Sequence, residues 1–356
     1  MERKKSIGVS LRNVVKMFGN NTVLNGIDLE IAPGSLTTLL GPSGCGKTTI
    51  LRLIAGLELP TSGQVFIGDE DVSTHSASQR DVAMVFQSYA LFPHMTVGEN
   101  VGYGLKVQKV PPTERAARVA DALGSVGLSG FESRFIDQLS GGQQQRVAVA
   151  RALILEPHVM LFDEPLSNLD TKLRRQMRDD IRRLQQETGI TSVYVTHDQN
   201  EALAVSDQVV VMKEGGIAQI GPPESLYHRP NSAFVATFMG DANILDAELL
   251  REDNEAFVRI RQSRVPLGDK AAEMPAGPVR VAIRPEALSL SAPGSGEGGF
   301  TGHVTSRAYI GSATEYLLDS DGEELFAVIP AGAPVYAPGA DVRITIDPVG
   351  VAVIGS

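Results

Sequence analysis

Eight consecutive residues, Gly41 to Thr48, have the types and spacing of a phosphate-binding loop. They read G-P-S-G-C-G-K-T, in which the glycines allow backbone N–H groups to converge on an anion. Lys47 can contact the outer phosphates of a nucleotide, and the Thr48 hydroxyl is an oxygen ligand suited to Mg²⁺. A chance match is rare even in a chain with 36 glycines, so the pattern predicts nucleotide binding.

The segments on either side of this loop have the patterns needed to hold it. Ser35 to Leu40 is apolar and β-branched, which is typical of a buried strand. Thr49 to Leu57 has the apolar spacing of an amphipathic helix. The loop should therefore join the end of a strand to the start of a helix, where the helix dipole favours a bound anion.

A second chemical pattern is a pair of acids after an apolar run. His158 to Phe162 reads as a buried strand and is followed by Asp163 and Glu164, which is the Walker B pattern. Asp163 could hold Mg²⁺, and Glu164 could activate a water molecule that attacks a phosphate. Adjacent acids at a strand end are often only solvated, but the phosphate-binding loop upstream favours the catalytic interpretation.

Two more polar residues follow buried-strand patterns. Gln87 ends the run from Arg80 to Gln87, and His197 comes directly after Thr191 to Thr196. Open α/β sheets bind ligands at the carboxyl ends of their strands. Gln87 could therefore approach a metal ion or a water molecule, and His197 could approach the terminal phosphate. Each could equally be a structural hydrogen-bonding residue.

The start of a later helix is another candidate phosphate contact. Ser140 is a typical N-cap, and the two glycines after it leave backbone N–H groups open to an anion. A capped helix that binds nothing would have the same pattern. Phe18, at a turn near the start of the chain, could stack on a nucleobase or could be a half-buried packing residue.

Length and composition indicate two domains without disulfides or membrane spans. The chain has 356 residues and one Cys, and no run approaches ~18 apolar residues. Beyond residue 240, short β-like segments separated by Gly and Pro predict a small all-β, barrel-like domain.

Residues 1–240 carry 23 basic and 25 acidic residues, and residues 241–356 carry 9 and 17. Neither part offers the basic surface that nucleic-acid binding requires.

Residues 88–105 have neither helix nor strand periodicity. Their apolar side chains, among them Tyr89, Phe92 and Tyr103, lie around a proline. Such a segment could form a docking groove for a helix of a partner protein, or it could be a small satellite core.

Taken in order, these motifs closely resemble the nucleotide-binding subunit of ATP-binding cassette (ABC) importers. The motifs are the phosphate loop, Gln87, LSGGQ at 139–143, Walker B at 159–164, SNLD at 167–170 and His197. The β-rich tail, with Ile283-Arg284-Pro285-Glu286, resembles the transport-associated OB-type (TOBE) domain of one importer subfamily. The resemblance implies an α/β P-loop NTPase domain at 1–240, with a RecA-like core and a helical subdomain at about 88–155. An OB-like all-β barrel domain would follow at 241–356.

The same resemblance implies a role for each motif residue in the binding and hydrolysis of ATP. Catalysis would use Glu164, His197 and Gln87, and Mg²⁺ would be bound by Thr48, Gln87 and Asp163. Phe18, where the family usually has Tyr, would stack on adenine. The phosphates would be held by Gly41, Pro42, Ser43, Gly44, Cys45, Gly46, Lys47, Thr48 and Thr49. The ATP site of a second copy would be completed by Ser140, Gly141, Gly142, Gln143 and Asp170.

Partners and location also follow from the resemblance. The protein would act as a homodimer, peripheral on the cytoplasmic face of the inner membrane. It would bind two integral membrane permease subunits at the groove formed by residues 88–105. A separate solute-binding protein would act indirectly, and nucleic acid would not be a partner. The amino-acid sequences of segments 88–105 and 238–243 resemble those of polyamine, ferric-ion or phosphonate systems more than those of sugar or oxyanion importers. A soluble, non-transport ABC ATPase is the alternative, although such proteins usually carry two cassettes or a long coiled coil.

Overall fold

The computed structural model describes residues 6–252, 255–268, 274–294 and 298–354. Internal contacts divide the chain after Pro223 into two compact units. The sequence placed the domain boundary later, after residue 240, and that position stays a prediction.

The first unit is built from two sheets and six helices within the described residues. In chain order the strands are β1 (Val9–Phe18), β2 (Asn21–Ile31), β3 (Leu36–Leu40), β4 (Ser62–Ile67), β5 (Glu70–Asp71), β6 (Val82–Val85), β7 (Val159–Asp163), β8 (Thr191–Thr196), β9 (Gln208–Lys213) and β10 (Gly216–Gly221). The helices are α1 (Lys47–Ala55), α2 (Val97–Val107), α3 (Pro112–Ser125), α4 (Gly141–Leu153), α5 (Thr171–Thr188) and α6 (Gln199–Val205).

A six-stranded sheet forms the centre of this unit, in the order β10-β9-β3-β8-β7-β6. Strands β9, β3, β8, β7 and β6 are parallel, and β10 pairs antiparallel with β9 at the edge. Every residue of β3 and β8 is buried, as expected for parallel strands covered on both faces. The carboxyl ends of β3, β6, β7 and β8 therefore meet at one edge, which brings the candidate site residues together.

A smaller antiparallel sheet, in the order β2-β1-β4-β5, completes the first unit. Its apolar residues share one core with helix α1 and with alternate residues of the central strands, for example Leu29, Ile54 and Val193. The opposite face of the central sheet packs on α2 to α5 through a second core that includes Val101, Val147 and Ile181. Helix α1 is thus held between two sheets, with the phosphate-binding loop at its start.

The prediction that residues 88–105 lack helix periodicity is wrong, because helix α2 occupies residues 97–107. Thr96 caps this helix and forms a capping box with Glu99. Val97, Val101 and Leu105 are fully buried in the core, so much of the apolar surface expected there is interior. Outside the core, the rings of Phe92 and Tyr103 pack with their centroids 4.8 Å apart.

The second unit contains two short helices and ten strands within its described residues. The helices are α7 (Pro223–His228) and α8 (Ala233–Phe238). The strands are β11 (Asn243–Glu252), β12 (Glu255–Ile260), β13 (Ser263–Pro266), β14 (Gly277–Ile283), β15 (Leu288–Ser291), β16 (Phe300–Tyr309), β17 (Ala313–Ser320), β18 (Glu323–Pro330), β19 (Asp341–Ile346) and β20 (Val351–Ile354).

These strands form two antiparallel sheets, β13-β12-β11-β14-β20 and β15-β19-β16-β17-β18. Residues of both sheets share one apolar core, in which Val258, Val281, Tyr316 and Ile344 are almost completely buried. Two curled sheets around one core agree with the predicted all-β, OB-like domain. No helix in the described part of the chain is long and apolar enough to cross a membrane.

Candidate functional site

The phosphate-binding loop lies where the sequence predicted it, between the end of β3 and the start of α1. The side chain of Lys47 is buried, and its Nζ donates hydrogen bonds to the carbonyl oxygens of Gly41 at 2.6 Å and Pro42 at 3.0 Å. Pro42, Ser43 and Gly44 are exposed at the tip of the loop. The lysine therefore folds back along the loop, and its ammonium group lies against the carbonyl oxygens at the loop's start.

Gly46 cannot be replaced at the helix start without moving the loop. Its φ of 104° lies in the left-handed region, and a Cβ added there would approach Leu24 Cδ2 to 2.5 Å. Strand β2 thus packs against the loop at Gly46 through Leu24. Cys45 is buried next to it, with its Sγ 3.9 Å from Lys47 Nζ.

Two oxygen groups converge beside the loop. Thr48 Oγ1 donates a hydrogen bond of 3.3 Å to Asp163 Oδ1 at the end of β7. Burial raises the pKa of Asp163 above its ordinary value, the Glu164 charge adds to this effect, and the Thr48 hydrogen bond and Arg52 oppose it. A hydroxyl and a carboxylate at this distance fit Mg²⁺, which binds few protein oxygens and completes its shell with water and phosphate.

The second acid of the pair faces the candidate histidine. Glu164 Oε2 lies 3.2 Å from Nδ1 of His197, whose side chain is 62% exposed. Glu164 has a φ of 44°, which is a left-handed conformation. This conformation is energetically unfavourable for a residue that has a side chain. Its backbone N–H donates to Val195 O at 3.0 Å. The turn after β7 thus aims this carboxylate out of the sheet edge, where it can accept a proton from water.

Gln87 reaches the same region from β6. Its Nε2 donates to Ser167 Oγ at 3.1 Å, and its backbone carbonyl accepts from Asn168 Nδ2 at 3.1 Å. Ser167 Oγ in turn donates to Glu164 O at 3.0 Å. A continuous set of contacts therefore joins Gln87, the turn at 167–168 and the acidic pair.

The residues predicted to act on a second copy begin two neighbouring helices. Ser140 caps α4, accepts a 3.4 Å hydrogen bond from Gln143 N and forms a capping box with that residue. Asp170 caps α5 and accepts from Leu173 N at 3.0 Å. Ser140, Gly141 and Asp170 are exposed, whereas Gly142 is buried. A Cβ added to Gly142 would lie only 2.7 Å from the Leu173 side chain. The two helix starts are thus packed together.

Phe18 and Thr49 are the two remaining residues predicted to contact the nucleotide. Phe18 is the last residue of β1 and is 47% exposed, with Lys16 Nζ 4.6 Å from its ring centroid. Thr49 lies in the first turn of α1 and is half-buried. An exposed ring at this turn is available for stacking on a flat ligand.

Sequence reasoning missed a buried polar cluster directly behind His197. The Glu201 carboxylate accepts from Tyr194 at 3.1 Å and from Thr196 at 2.8 Å, and Arg174 lies 3.8 Å from it. Burial raises the pKa of both Glu201 and Tyr194. The available signal was the D-x-x-E spacing of Asp198 and Glu201, which is a helix-capping pattern immediately after the histidine.

Comparison with known proteins gives the relationship of each part of the chain. The ABC transporter family matches residues 24–167, and the TOBE domain family matches residues 281–354. The Fe(3+) ions import ATP-binding protein FbpC of Escherichia coli O157:H7 is 56% identical over 91% of this chain and 90% of its own length. The protein of the same name from Brucella abortus strain 2308 is 53% identical over 97% of each chain.

Solved structures agree with these sequence relatives. The dimeric structure of the ATP-binding cassette MJ0796 bound to ADP and Pi is 33% identical, with a TM-score of 0.54. The match covers 60% of this chain and 98% of that one. A second dimeric structure of the same cassette, described as a bacterial ABC transporter cassette, matches equally well.

Proposed function

The chain belongs to the ABC transporter family, as the ATP-hydrolysing subunit of an importer with a TOBE domain, and we propose that ferric ion is the solute whose uptake it drives. One observation carries this proposal: relatives 53% to 59% identical, from Escherichia, Brucella and Haemophilus, are all named as Fe(3+) import ATP-binding proteins. ATP is the substrate of this subunit and Mg²⁺ its cofactor.

We assign the chemistry to the residues at the carboxyl edge of the central sheet. Lys47 and the N–H groups of the loop at 43–49 bind the β- and γ-phosphates. Thr48, Asp163 and Gln87 are the residues that would hold Mg²⁺, which supplies positive charge against the phosphate oxygens when bound. The support is the convergence of these groups at one sheet edge, with Thr48 and Asp163 3.3 Å apart.

Glu164 is the proposed general base. Its carboxylate is half-buried, is fixed by the turn after β7, and can take a proton from the water that attacks the γ-phosphate. His197, 3.2 Å away, would orient this carboxylate and hydrogen-bond to the transferred phosphate. Gln87 would hold the attacking water in line, from its position against Ser167.

The proposed active form is a homodimer in which each ATP lies between two copies. The similar cassette structures are dimeric, and Ser140, Gly141 and Asp170 are exposed here. The α4 N-terminus has open N–H groups for a γ-phosphate of the partner copy. ATP would then join the copies through charge-assisted contacts, and hydrolysis would release them.

Coupling to transport is proposed to run through the segment at 88–105 to two permease subunits. Gln87 lies directly before this segment, and the Phe92–Tyr103 pair is next to the buried start of α2. A helix of the permease could pack on these rings while Gln87 reports the state of the nucleotide site. The protein would work as a peripheral subunit on the cytoplasmic face of the membrane, with a solute-binding protein on the other side.

Reconstitution of the transporter tests the substrate. The chain would be purified with its permease through an affinity tag and placed in liposomes with the cognate binding protein. We expect ATP hydrolysis to rise when that binding protein is loaded with ferric ion, and not with a polyamine, a phosphonate, a sugar or an oxyanion. A complex that carries Glu164→Gln is the matched control. Stimulation by another solute would overturn the ferric-ion proposal and leave the importer assignment intact.

A further inference from the structure

Helix α5 begins at the turn predicted to face the second copy, and its first turn carries an arginine directed back into the protein. Asp170 caps the helix, and Arg174 Nη2 donates to Leu169 O at 3.1 Å. This bond ties the guanidinium to the turn at 167–170, whose Ser167 contacts both Gln87 and the backbone of Glu164.

The same guanidinium faces two acids that follow His197. Its Nη1 lies 3.6 Å from Asp198 Oδ2, and its Nε lies 3.8 Å from Glu201 Oε1. The Nε atom is buried and makes no hydrogen bond within the described residues. Arg174 and Glu201 therefore interact as an ion pair that is partly shielded from water, and such a pair is stronger than one at the surface.

These acids are firmly held, and both follow His197 closely in the chain. Glu201 is 6% exposed, and its Oε2 accepts from the hydroxyls of Tyr194 and Thr196. Asp198 caps α6 by accepting from Glu201 N at 3.1 Å, and its own N–H donates to Thr196 Oγ1 at 3.0 Å. The residues on both sides of His197 thus belong to one hydrogen-bonded cluster, and Arg174 is its connection to α5.

We infer that Arg174 is a positioning residue for ATP hydrolysis, which holds the turn at 167–170 against the segment at 196–198 and so keeps His197 in reach of Glu164. Arg174 does not touch the nucleotide in this arrangement and acts through the two segments that it joins. A planar fork with several donors suits this task, because it can contact a carbonyl and two carboxylates at the same time.

The residue before Arg174 in the same helical turn makes a second connection. Leu173 packs against Gly142, and a Cβ added to that glycine would lie 2.7 Å from the leucine side chain. Helix α5 therefore also contacts the start of α4. Adjacent residues of one turn thus contact the helix start that would serve the second copy and the two acids that follow His197. This inference rests on the proposed roles of Glu164 and His197.

The test measures ATP binding and hydrolysis separately in the purified full-length chain. We expect Arg174→Gln to lower kcat roughly 10-fold or more, since small misplacements of catalytic groups have effects of this size, with the Kd for a fluorescent ATP analogue within about twofold of the parent. Arg174→Lys keeps the charge, loses the fork and should recover part of kcat. The exposed neighbour Arg175, changed to Gln, is the matched control and should leave both values unchanged.

The possible outcomes separate this inference from a purely structural role. If Arg174→Gln weakens ATP binding and kcat in parallel, or changes neither, the positioning role is wrong. Where that variant does not fold, Arg174→Lys decides the question: a lower kcat with unchanged ATP binding supports the inference, and the parental kcat overturns it.

Parallel measurements on His197→Ala and Glu164→Gln test the assignments on which the inference depends. If both variants hydrolyse ATP at the parental rate, the proposed catalytic site is wrong. If both lose activity while Arg174→Gln keeps it, only the inference about Arg174 fails.

Discussion

The Thr48 hydroxyl donates a hydrogen bond of 3.3 Å to the carboxylate of Asp163, and this contact joins the start of α1 to the end of β7. Asp163 is half-buried next to Glu164, and burial and the neighbouring charge both raise its pKa. The carboxylate is thus placed where its ionised form is unfavourable without a cation. A site built for Mg²⁺ and phosphate binding has this property, because bound Mg²⁺ compensates the negative charge.

We expect Asp163→Asn to stabilise the nucleotide-free protein and to abolish most of its activity. Because the pKa of Asp163 is raised in the folded chain, the free energy of unfolding falls as pH rises through that folded-state pKa. The stability gained by Asn should therefore be smallest below the ordinary aspartate value of 3.8 and increase as pH rises through that folded-state pKa. Mg²⁺ should bind roughly 10- to 100-fold more weakly. Thermal unfolding across this pH range and Mg²⁺ titrations of ATP hydrolysis check both effects.

The exposed Asp69 provides the control for this comparison. Asp69→Asn should change neither the pH dependence of unfolding nor the Mg²⁺ requirement. An Asp163→Asn protein that is less stable than the parent at neutral pH would contradict the argument from the raised pKa.

Glu164 allows its charge and its backbone conformation to be tested separately. Its φ of 44° is strained for any residue with a Cβ. Glu164→Gln keeps the strain but removes the base and its charge beside Asp163, so we expect stability at or slightly above that of the parent, retained ATP binding and a kcat lower by about 10²- to 10⁴-fold. Glu164→Gly should be equally inactive and more stable by about 1 kcal/mol. Urea unfolding and single-turnover hydrolysis measure these two effects, and a Gly variant less stable than the Gln variant would refute the strain argument.

The sheet edge that holds the candidate site could be located from the sequence because short motifs lie there. The sequence predicts buried strands that end directly before Asp163 and His197, and the observed strands end at Asp163 and Thr196, within one residue of those positions. In a parallel sheet the strand ends must meet at one edge, so local patterns fix the neighbourhood of the site. The distances between the side chains depend on turns such as that at Glu164, whose φ no sequence pattern revealed.

Contacts between distant residues could not be predicted in the same way. Arg174 is one of five arginines on α5, and its partners Asp198 and Glu201 come more than twenty residues later. Helix α2 was missed because Gly98, Gly102 and Gly104 lower its helix propensity. A Cβ on Gly104 would lie 2.6 Å from Leu155 Cδ2, so close packing, which sequence periodicity does not report, accounts for glycine there.

The exposed helix start at Ser140 leads to a prediction about assembly. We expect Ser140→Arg, in a Glu164→Gln background, to bind ATP as a monomer and to lose ATP-dependent dimerisation, because the larger side chain blocks the N–H groups of α4. Lys47→Ala in the same background should lose both ATP binding and dimerisation. Light scattering with and without ATP, alongside nucleotide binding, measures the two properties.

Ser133→Arg adds the same side chain at another exposed position of this unit and should dimerise normally. The in-trans role of the α4 start is wrong if the Ser140→Arg protein forms dimers at the parental ATP concentration.

Within the second unit, one buried arginine should account for much of the stability of the two short helices. Arg284 is 4% exposed, its guanidinium lies 3.9 Å from the centre of the Tyr227 ring, and it donates to the carbonyl oxygens of Ala236 and Tyr227. Arg284→Met leaves those carbonyls without a donor, which should cost about 2–5 kcal/mol. The surface residue Arg259 pairs with Glu248 at an exposed site, so Arg259→Met should cost less than about 1 kcal/mol.

Tyr227 in the same cluster supplies a pH test. Its hydroxyl donates to Glu286 at 2.5 Å, and burial, with this bond, raises its pKa to about 12. The folded chain holds the phenolic proton more strongly than the unfolded chain, so this contribution to stability is complete below about pH 10 and is lost as pH rises toward 12. We expect Tyr227→Phe to lose about 1 kcal/mol at neutral pH and to show a weaker alkaline decline than the parent. Because the chain has no Trp, urea unfolding followed by circular dichroism is the suitable measurement, and an identical alkaline decline in both proteins would show that Tyr227 does not hold its proton in the folded state.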